Sequence, residues 1–206
     1  MVNKNNSICL LDASDKERFE DFSDFRIMDL ERKHTMLLET QALPVAVGTI
    51  MGKRPIEAAY KWFDDNIGGV RTYSTEVGVI EIDKESIQDS LAHKFSQAKL
   101  DAVSSLFDGF RNATYITSTV DIDGKPIVNH FFTYPIDYAG CTTYVLCRTR
   151  EDVNKNRLYI HEVFPVHKIR SATIQTLAGQ SQPQKGRALY EKLLAAVIYG
   201  KGTNKT

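Results

Sequence analysis

Apolar residues recur at helical spacing near the start of the chain. Ser14 is a suitable N-cap, and Glu17, three residues later, completes a capping box. The apolar stripe that follows is formed by Phe19, Phe22, Phe25, Ile27 and Leu30. The pattern predicts a helix over residues 14–40 with a core-facing or docking stripe. Pro44 and Gly48 then interrupt the apolar stretch 43–51, which predicts a buried loop or short strand. We therefore expect a helical segment at residues 1–48 and an α+β domain at residues 49–206.

The sequence from Pro55 to Ile82 predicts one helix followed by one strand. Pro55 suits the first turn of a helix that Asn66 and the Gly68-Gly69 pair end. The β-favouring residues 77–82 predict a strand, in which Gly78 indicates a bulge or a close backbone approach.

Two further helices follow that strand. Asp83 is the N-cap of the first, whose apolar face carries Ile87, Leu91 and Phe95. On this helix His93 falls nearly opposite the apolar stripe, which excludes it from the core side. The second helix is predicted to begin at Lys99, with Leu100, Val103, Phe107 and Phe110 on one face.

The remainder of the chain has the period of a sheet. Residues 115–122 and 127–134 flank Asp123-Gly124, a pair that supplies the positive φ of a tight hairpin. Strands at 142–149 and 157–163 continue the meander, and a last helix covers residues 187–199. The fold class is therefore α+β: N-terminal helices, a twisted antiparallel sheet of four to five strands, and a C-terminal helix.

Alternation assigns the strand residues to two faces, one of which must cover the helices while the other can stay open. Ile116, Val145, Cys147, Leu158 and Ile160 are placed on the core face. The open face then gathers Tyr115, Thr117, Thr119, Tyr144, Leu146, Arg148, Tyr159 and His161. His130 is ambiguous, since it shares a face with Val128 and Phe132.

Composition indicates a folded protein. The chain has 206 residues, of which 42% are hydrophobic, enough for one substantial core. It contains no run of 18 or more apolar residues and no signal-peptide pattern, so we expect no membrane association. The expected location is the cytoplasm, either of the producing cell or of a target cell that receives the domain within a larger protein.

Other classes of site lack their sequence signals. Cys9, Cys141 and Cys147 are an odd number without CxxC spacing, which favours reduced thiols over a disulfide or zinc site. Motifs for dinucleotides, nucleoside triphosphates, zinc proteases, serine hydrolases and EF-hands are absent from the sequence. We therefore expect neither a cofactor nor a metal ion.

Charge is uneven along the chain, although the total is zero. Residues 150–206 carry 10 Lys and Arg against 4 Asp and Glu, a net charge of +6. Such a region can face nucleic acid, or it can simply favour solubility, and charge alone does not decide between the two.

The residues of the open face fit RNA cleavage without a metal. Histidine can move protons near neutral pH, arginine can stabilise a phosphate, and Thr or Tyr hydroxyls can position it. The same residues are also ordinary on the exposed face of an antiparallel sheet.

A family resemblance covers roughly residues 55–165. It rests on Trp62-Phe63, the strand ending at Ile82, the helix that carries Ser86 and His93, the segment from Lys99, and Tyr159-Ile160-His161. The stretch resembles the large polyvalent-protein-associated domains of phages and mobile elements and the nuclease-like group named after barnase, EndoU, colicins and RelE. The resemblance implies a compact α+β ribonuclease that needs no metal and is often deployed as a toxin. His93 matches the helix histidine of that group, and Thr117, Tyr144, Arg148 and His161 match by topology.

Two functional hypotheses follow. The first is an endoribonuclease toxin that cleaves RNA, with tRNA a candidate substrate, by attack of the 2′-hydroxyl. Its site would be formed by His93, His161, Arg148, Tyr144, Thr117 and His130, and its second partner would be a cognate inhibitor protein. The alternative is a non-catalytic interaction module of a phage or mobile-element polyvalent protein.

Overall fold

The computed structural model describes residues 29–92, 96–120, 127–152, 154–166 and 182–199. Six α-helices are present in these ranges: α1 (residues 29–39), α2 (Pro55–Asn66), α3 (Lys84–Ala92), α4 (Gln97–Ser104), α5 (Leu106–Gly109) and α6 (Gln182–Tyr199). A 3-10 turn, Phe110–Asn112, follows α5. Seven strands accompany them: β1 (Leu43–Val45), β2 (Arg71–Thr75), β3 (Gly78–Ile82), β4 (Thr114–Val120), β5 (Val128–Tyr138), β6 (Cys141–Asp152) and β7 (Arg157–Val166). The predicted α+β class is confirmed.

All seven strands belong to one mixed sheet of order β1-β5-β6-β7-β3-β2, in which β4 also pairs with β5. The meander β4 to β7 is antiparallel, as expected. The prediction of four to five antiparallel strands is wrong in two respects, because the sheet has seven strands and the β1–β5 and β3–β7 pairings are parallel. Strand β2, with the sequence Arg-Thr-Tyr-Ser-Thr, lacks the alternation of apolar and polar residues from which a strand is predicted.

Helix starts follow local capping chemistry. Pro55 occupies the first turn of α2. The Asp83 carboxylate accepts a hydrogen bond of 2.9 Å from the Ser86 amide, which caps α3 as predicted. Helix α4 begins at Gln97, two residues earlier than expected, because the Ser96 hydroxyl accepts from the Lys99 amide at 3.2 Å and acts as its N-cap.

Hydrophobic side chains pack on both faces of the sheet. The first core lies between one face and helices α2 to α5, and it contains Ile82, Ile87, Leu100, Val103, Phe132, Tyr134, Val145, Cys147, Ile160 and Val163. The second core lies between the other face and helices α1 and α6, and it contains Leu37, Ile116, Phe131, Tyr144, Leu146, Leu189, Leu193 and Val197. The described residues therefore form three layers, with the sheet in the middle.

This arrangement corrects the predicted open face. Tyr144 is only 3% exposed, and its hydroxyl donates a hydrogen bond of 3.2 Å to the Leu37 carbonyl in α1. Ile116 and Tyr115 are exchanged relative to the prediction: Ile116 lies in the second core, and Tyr115 packs against the first. A register shift between Tyr115 and Thr117 accompanies the exchange. Residues 143–147 are all buried, as expected for a strand covered on both faces.

Several predictions fall outside the described residues. They are the first part of the 14–40 helix, the Asp123-Gly124 turn, and His93 itself. Helix α6 starts five residues before the predicted Arg187. The division between residues 1–48 and 49–206 stays a prediction. None of the helices within the described ranges is long and apolar enough to cross a membrane.

Candidate functional site

A polar region begins where the second core ends. Along β6 the buried Leu146 is followed, two residues later, by Arg148 and then by Arg150. In register, Thr117, Phe131, Arg148 and Glu162 form one row across β4 to β7, and Thr119, Asn129, Arg150 and Tyr159 form the next. Paired residues on neighbouring strands project from the same face. We call this region, defined by these two rows without the second-core Phe131 and together with His161, the polar end of the sheet.

His161 occupies a β-bulge at this polar end. Glu162 pairs with Arg148 while Ile160 pairs with Thr149, so His161 is the extra residue of β7. A bulge redirects the side chain it carries. The ring is 12% exposed, and its Nδ1 lies 3.2 Å from a carboxylate oxygen of Asp89 on α3. The structure therefore pairs His161 with a carboxylate contributed by the helix layer.

The protonation state of His161 follows from its surroundings. Burial lowers the pKa of the ring below the ordinary 6.5, and the positive charges of Arg150 and Arg148 lower it further, while Asp89 opposes the shift. The ring is therefore neutral at pH 7. A carboxylate can only accept hydrogen bonds, so the neutral ring carries its proton on Nδ1 and donates it to Asp89. Nε2 is then the basic nitrogen.

Glu162 connects two cations beside this pair. One of its carboxylate oxygens lies 2.8 Å from an Arg148 guanidinium nitrogen, and the other lies 3.5 Å from the Lys99 ammonium. All three side chains are largely buried, with Lys99 only 5% exposed. Burial lowers the pKa of Lys99, although Glu162 opposes the shift. When all five are ionised, the formal charges of Lys99, Arg148, Arg150, Asp89 and Glu162 sum to +1, and the carboxylate of Asp152 also acts on the neighbouring Tyr159.

Tyr159 completes the cluster. Its ring lies 6.1 Å from the His161 ring, centroid to centroid, at 85°. Burial raises the pKa of the Tyr159 hydroxyl, and the neighbouring Asp89 raises it further. Asp89 thus interacts with both aromatic side chains of the bulged segment.

Not all of the predicted site residues meet at this cluster. His161 and Arg148 lie together, and Thr117 lies in the Arg148 row two strands away, about 10 Å at the usual strand spacing. Tyr144 lies four positions before Arg148 on β6, about 13 Å away, inside the second core. Burial raises the pKa of its hydroxyl to about 12, so it stays protonated. The place of His93 is not among the described residues.

His130 faces the other side of the sheet. It neighbours Phe131, which points into the second core, and its Nδ1 lies 2.7 Å from the Ser118 hydroxyl. Its ring centroid is 6.4 Å from that of Tyr115, which packs against the first core. The ambiguity of His130 is thereby resolved, and it lies apart from Arg148.

Sequence reasoning missed four residues of the cluster: Asp89, Lys99, Arg150 and Glu162. Strict alternation along β7 would place Glu162 and His161 on opposite faces of the sheet, so Glu162 was not predicted. The β-bulge that changes this alternation has no signal in the sequence. Asp89 lies between the buried Ile87 and Leu91 on α3, and its partner is 72 positions away along the chain.

Metal-ligand and thiol chemistry have few candidates in the described parts of the chain. No group of three or more His, Cys, Asp or Glu side chains there is arranged to hold a metal ion. Cys141 is exposed and Cys147 is buried, and neither forms a disulfide in those ranges. Burial raises the pKa of the Cys147 thiol, which makes it a poor nucleophile.

Comparison with known proteins yields one match. No curated protein and no solved structure matches the chain. The model of large polyvalent protein-associated domain 3 matches residues 54–159, slightly more than half of the chain. The match begins just before α2 and ends at Tyr159, so it includes Asp89, Lys99 and Arg148, while His161 follows two residues later. The relation to the nuclease-like group stays a prediction. The chain belongs to the large polyvalent protein-associated domain 3 family, which is associated with the polyvalent proteins of phages and mobile elements.

Proposed function

We propose that this domain is a metal-independent endoribonuclease whose site is the cluster around His161. The observation that carries the proposal is the pairing of a neutral, largely buried His161 with Asp89 beside Arg148 and Arg150. A histidine held by a carboxylate is suited to accept a proton, and neighbouring guanidinium groups are suited to stabilise a phosphate.

The proposed reaction begins with the 2′-hydroxyl of RNA. Nε2 of His161 takes the hydroxyl proton while the 2′-oxygen forms a bond to the adjacent phosphorus. Arg148 and Arg150 stabilise the additional negative charge on the phosphate oxygens. The bond from phosphorus to the 5′-oxygen then breaks, and that oxygen receives a proton. The products are a 2′,3′-cyclic phosphate and a 5′-hydroxyl.

Asp89 acts through His161 in this scheme. It fixes the tautomer that leaves Nε2 basic, and it stabilises the imidazolium that forms when the proton arrives. Lys99 and Glu162 position Arg148. His93 remains the candidate for the acid that protonates the leaving oxygen.

The proposed ribonuclease would have two kinds of partner. The first is RNA, with tRNA as the first substrate to examine. The second is an inhibitor protein encoded beside the domain, because a ribonuclease toxin must be neutralised in the cell that makes it.

A second candidate function is a non-catalytic interaction module of a polyvalent protein. The observation that favours it is the ion pairing among Lys99, Glu162 and Arg148, since buried charges that satisfy one another can serve structure alone. Under this alternative, replacing His161 would leave cellular RNA unaffected.

Expression in bacteria separates the two candidates. The wild-type chain is expected to slow growth and fragment tRNA or rRNA, while His161→Ala leaves both intact. His34→Ala is the matched control, because the charged neighbours of His34 are Arg187, Glu191 and Glu31, none of which is near His161. Intact RNA in cells that accumulate the folded wild-type protein would contradict the proposal.

A further inference from the structure

The second row of the polar end contains two buried polar groups without partners. Asn129 on β5 is 0% exposed, yet neither its Nδ2 nor its Oδ1 forms a hydrogen bond within the described ranges. The Oγ1 of Thr119, its partner on β4, is also buried and unbonded there. Buried side-chain amides nearly always have partners, so an isolated one calls for an explanation.

The position of Asn129 points to a ligand. Across β5–β6 it pairs with Arg150, and Arg150 pairs with Tyr159, whose ring approaches His161. The row from Thr119 to Tyr159 spans three strand intervals, about 14 Å in all. It therefore runs from the unbonded groups of Thr119 and Asn129, past the guanidinium of Arg150, to Tyr159, whose ring neighbours the proposed catalytic His161.

The chemistry of this row matches a nucleotide. A side-chain amide offers a donor beside an acceptor, the pattern that pairs with the N7 and the N6 amino group of adenine. A guanidinium group is suited to a phosphate. A base at Asn129 and Thr119 would thus place its phosphate at Arg150, toward His161.

We infer that Asn129, Thr119 and Arg150 form a nucleotide subsite that holds the base preceding the cleaved bond, with a preference for adenine. The inference rests on the proposed ribonuclease function and adds the substrate specificity of the same site. Because Asn129 is shielded from solvent, the base reaches its amide only when the side chains that cover it move aside. The amide then gains the partners it lacks in the ligand-free protein.

Nucleotide binding to the purified full-length chain tests the inference. Adenosine 3′-monophosphate is expected to bind at least tenfold more tightly than cytidine 3′-monophosphate or inorganic phosphate in calorimetric titrations. Asn129→Ala should abolish this preference while leaving the affinity for inorganic phosphate unchanged. Ser118→Ala, whose side chain lies on the opposite face of β4, should bind all three ligands as the wild type does.

Two isosteric variants show whether a loss of binding comes from the missing polar groups or from misfolding. Asn129→Leu and Thr119→Val remove the unpartnered groups at similar volume, so the ligand-free variants should melt no lower than the wild type, and each should lose adenine preference. Equal binding of adenosine and cytidine monophosphates by the wild type would overturn the inference. Lower melting of the ligand-free variants would also overturn it, because the amide would then have a partner in the folded chain.

The outcomes also separate this inference from the ribonuclease proposal. Adenine-selective binding without RNA cleavage would contradict the proposed function alone. Cleavage by His161 without base preference would contradict only the subsite.

Discussion

At the scale of single residues, His161 has neighbours whose charges act on its ring in opposite directions. Arg150 and Arg148 lower the pKa of the ring, as burial does, while Asp89 raises it. The folded pKa lies below 6.5, so the folded chain resists protonation that the unfolded chain accepts. This contribution to stability is present above pH 6.5 and is lost as the pH falls below that value.

Titration of the His161 ring by NMR tests this balance directly. We expect a midpoint below 6.5 in the wild type, a higher one in Arg150→Gln and a lower one in Asp89→Asn. The chain has five histidines, so the signal lost in His161→Ala identifies the His161 ring, and His34→Ala should leave that signal unchanged. A wild-type midpoint above 6.5, or shifts of the same sign in the two variants, would contradict the described electrostatics.

At the scale of elements, Arg157 connects the start of β7 to the start of α3 through ion pairs. Its guanidinium group lies 2.6 Å from Asp83, and it also contacts Glu85 and Glu81. Burial alone would raise the pKa of Asp83, but the Ser86 amide and Arg157 outweigh it and hold the pKa below 3.8. The stability that Asp83 contributes is therefore present above pH 3.8 and lost as the pH falls through its folded pKa.

Removal of this guanidinium should be costly. We expect Arg157→Ala to lower the free energy of unfolding by about 1.5–3 kcal/mol, since charged hydrogen bonds are lost and carboxylates are left partly buried. Lys155→Ala is the matched control, because Lys155 is 50% exposed and contacts the same Glu85, so less than about 1 kcal/mol should be lost. Urea unfolding at pH 7 measures both, and equal losses would contradict the assigned role.

The contact between α1 and α6 depends on a glycine. A Cβ at Gly186 would lie 2.5 Å from the carbonyl oxygen of His34, which is closer than a Cβ atom can approach without a shift of the backbone. Replacing glycine with alanine inside a helix ordinarily stabilises it by about 0.5–1 kcal/mol. Here we expect Gly186→Ala to destabilise the chain by about 1–3 kcal/mol, because the two helices must separate.

Hydrogen exchange locates the effect of this substitution. Protection should fall in α1 and α6 and persist in the strands of the first core. The neighbouring Arg187→Ala, at a side chain that is 73% exposed, should change stability by less than about 0.5 kcal/mol. A Gly186→Ala variant more stable than the wild type would show that the helices do not pack as described.

Local signals in the sequence predicted the starts of α2 and α3, but only part of the sheet. The single helix expected from Lys99 through Phe110 is wrong, because the structure divides this stretch into α4, α5 and a 3-10 turn. Pro55, Asp83 and the hairpin flanks act within a few residues, so their effects are readable along the chain. Strand β2 pairs through backbone groups and has a polar sequence, so no periodicity marks it. The sheet face that carries Tyr144 is covered by α1 and α6. Both helices are far from Tyr144 in the sequence, so no local pattern predicts that they pack there.

At the scale of the whole molecule, the sheet face beneath α1 and α6 changes from apolar to polar between Leu146 and Arg148. The helices cover the apolar part, and the His161 cluster lies at the polar end. The sequence predicted His161 and Arg148 as site residues through their strand positions. It did not predict Asp89, which α3 supplies, because helix-to-strand contacts depend on the tertiary fold.

Incubation of the purified chain with single-stranded RNA in EDTA shows whether the His161 cluster cleaves RNA without a metal ion. We expect the wild type to produce fragments ending in a 2′,3′-cyclic phosphate, His161→Ala to be at least about 100-fold slower, and His34→Ala to match the wild type. Absence of cleavage by the folded wild type, or equal rates for the wild type and His161→Ala, would contradict the proposed ribonuclease function.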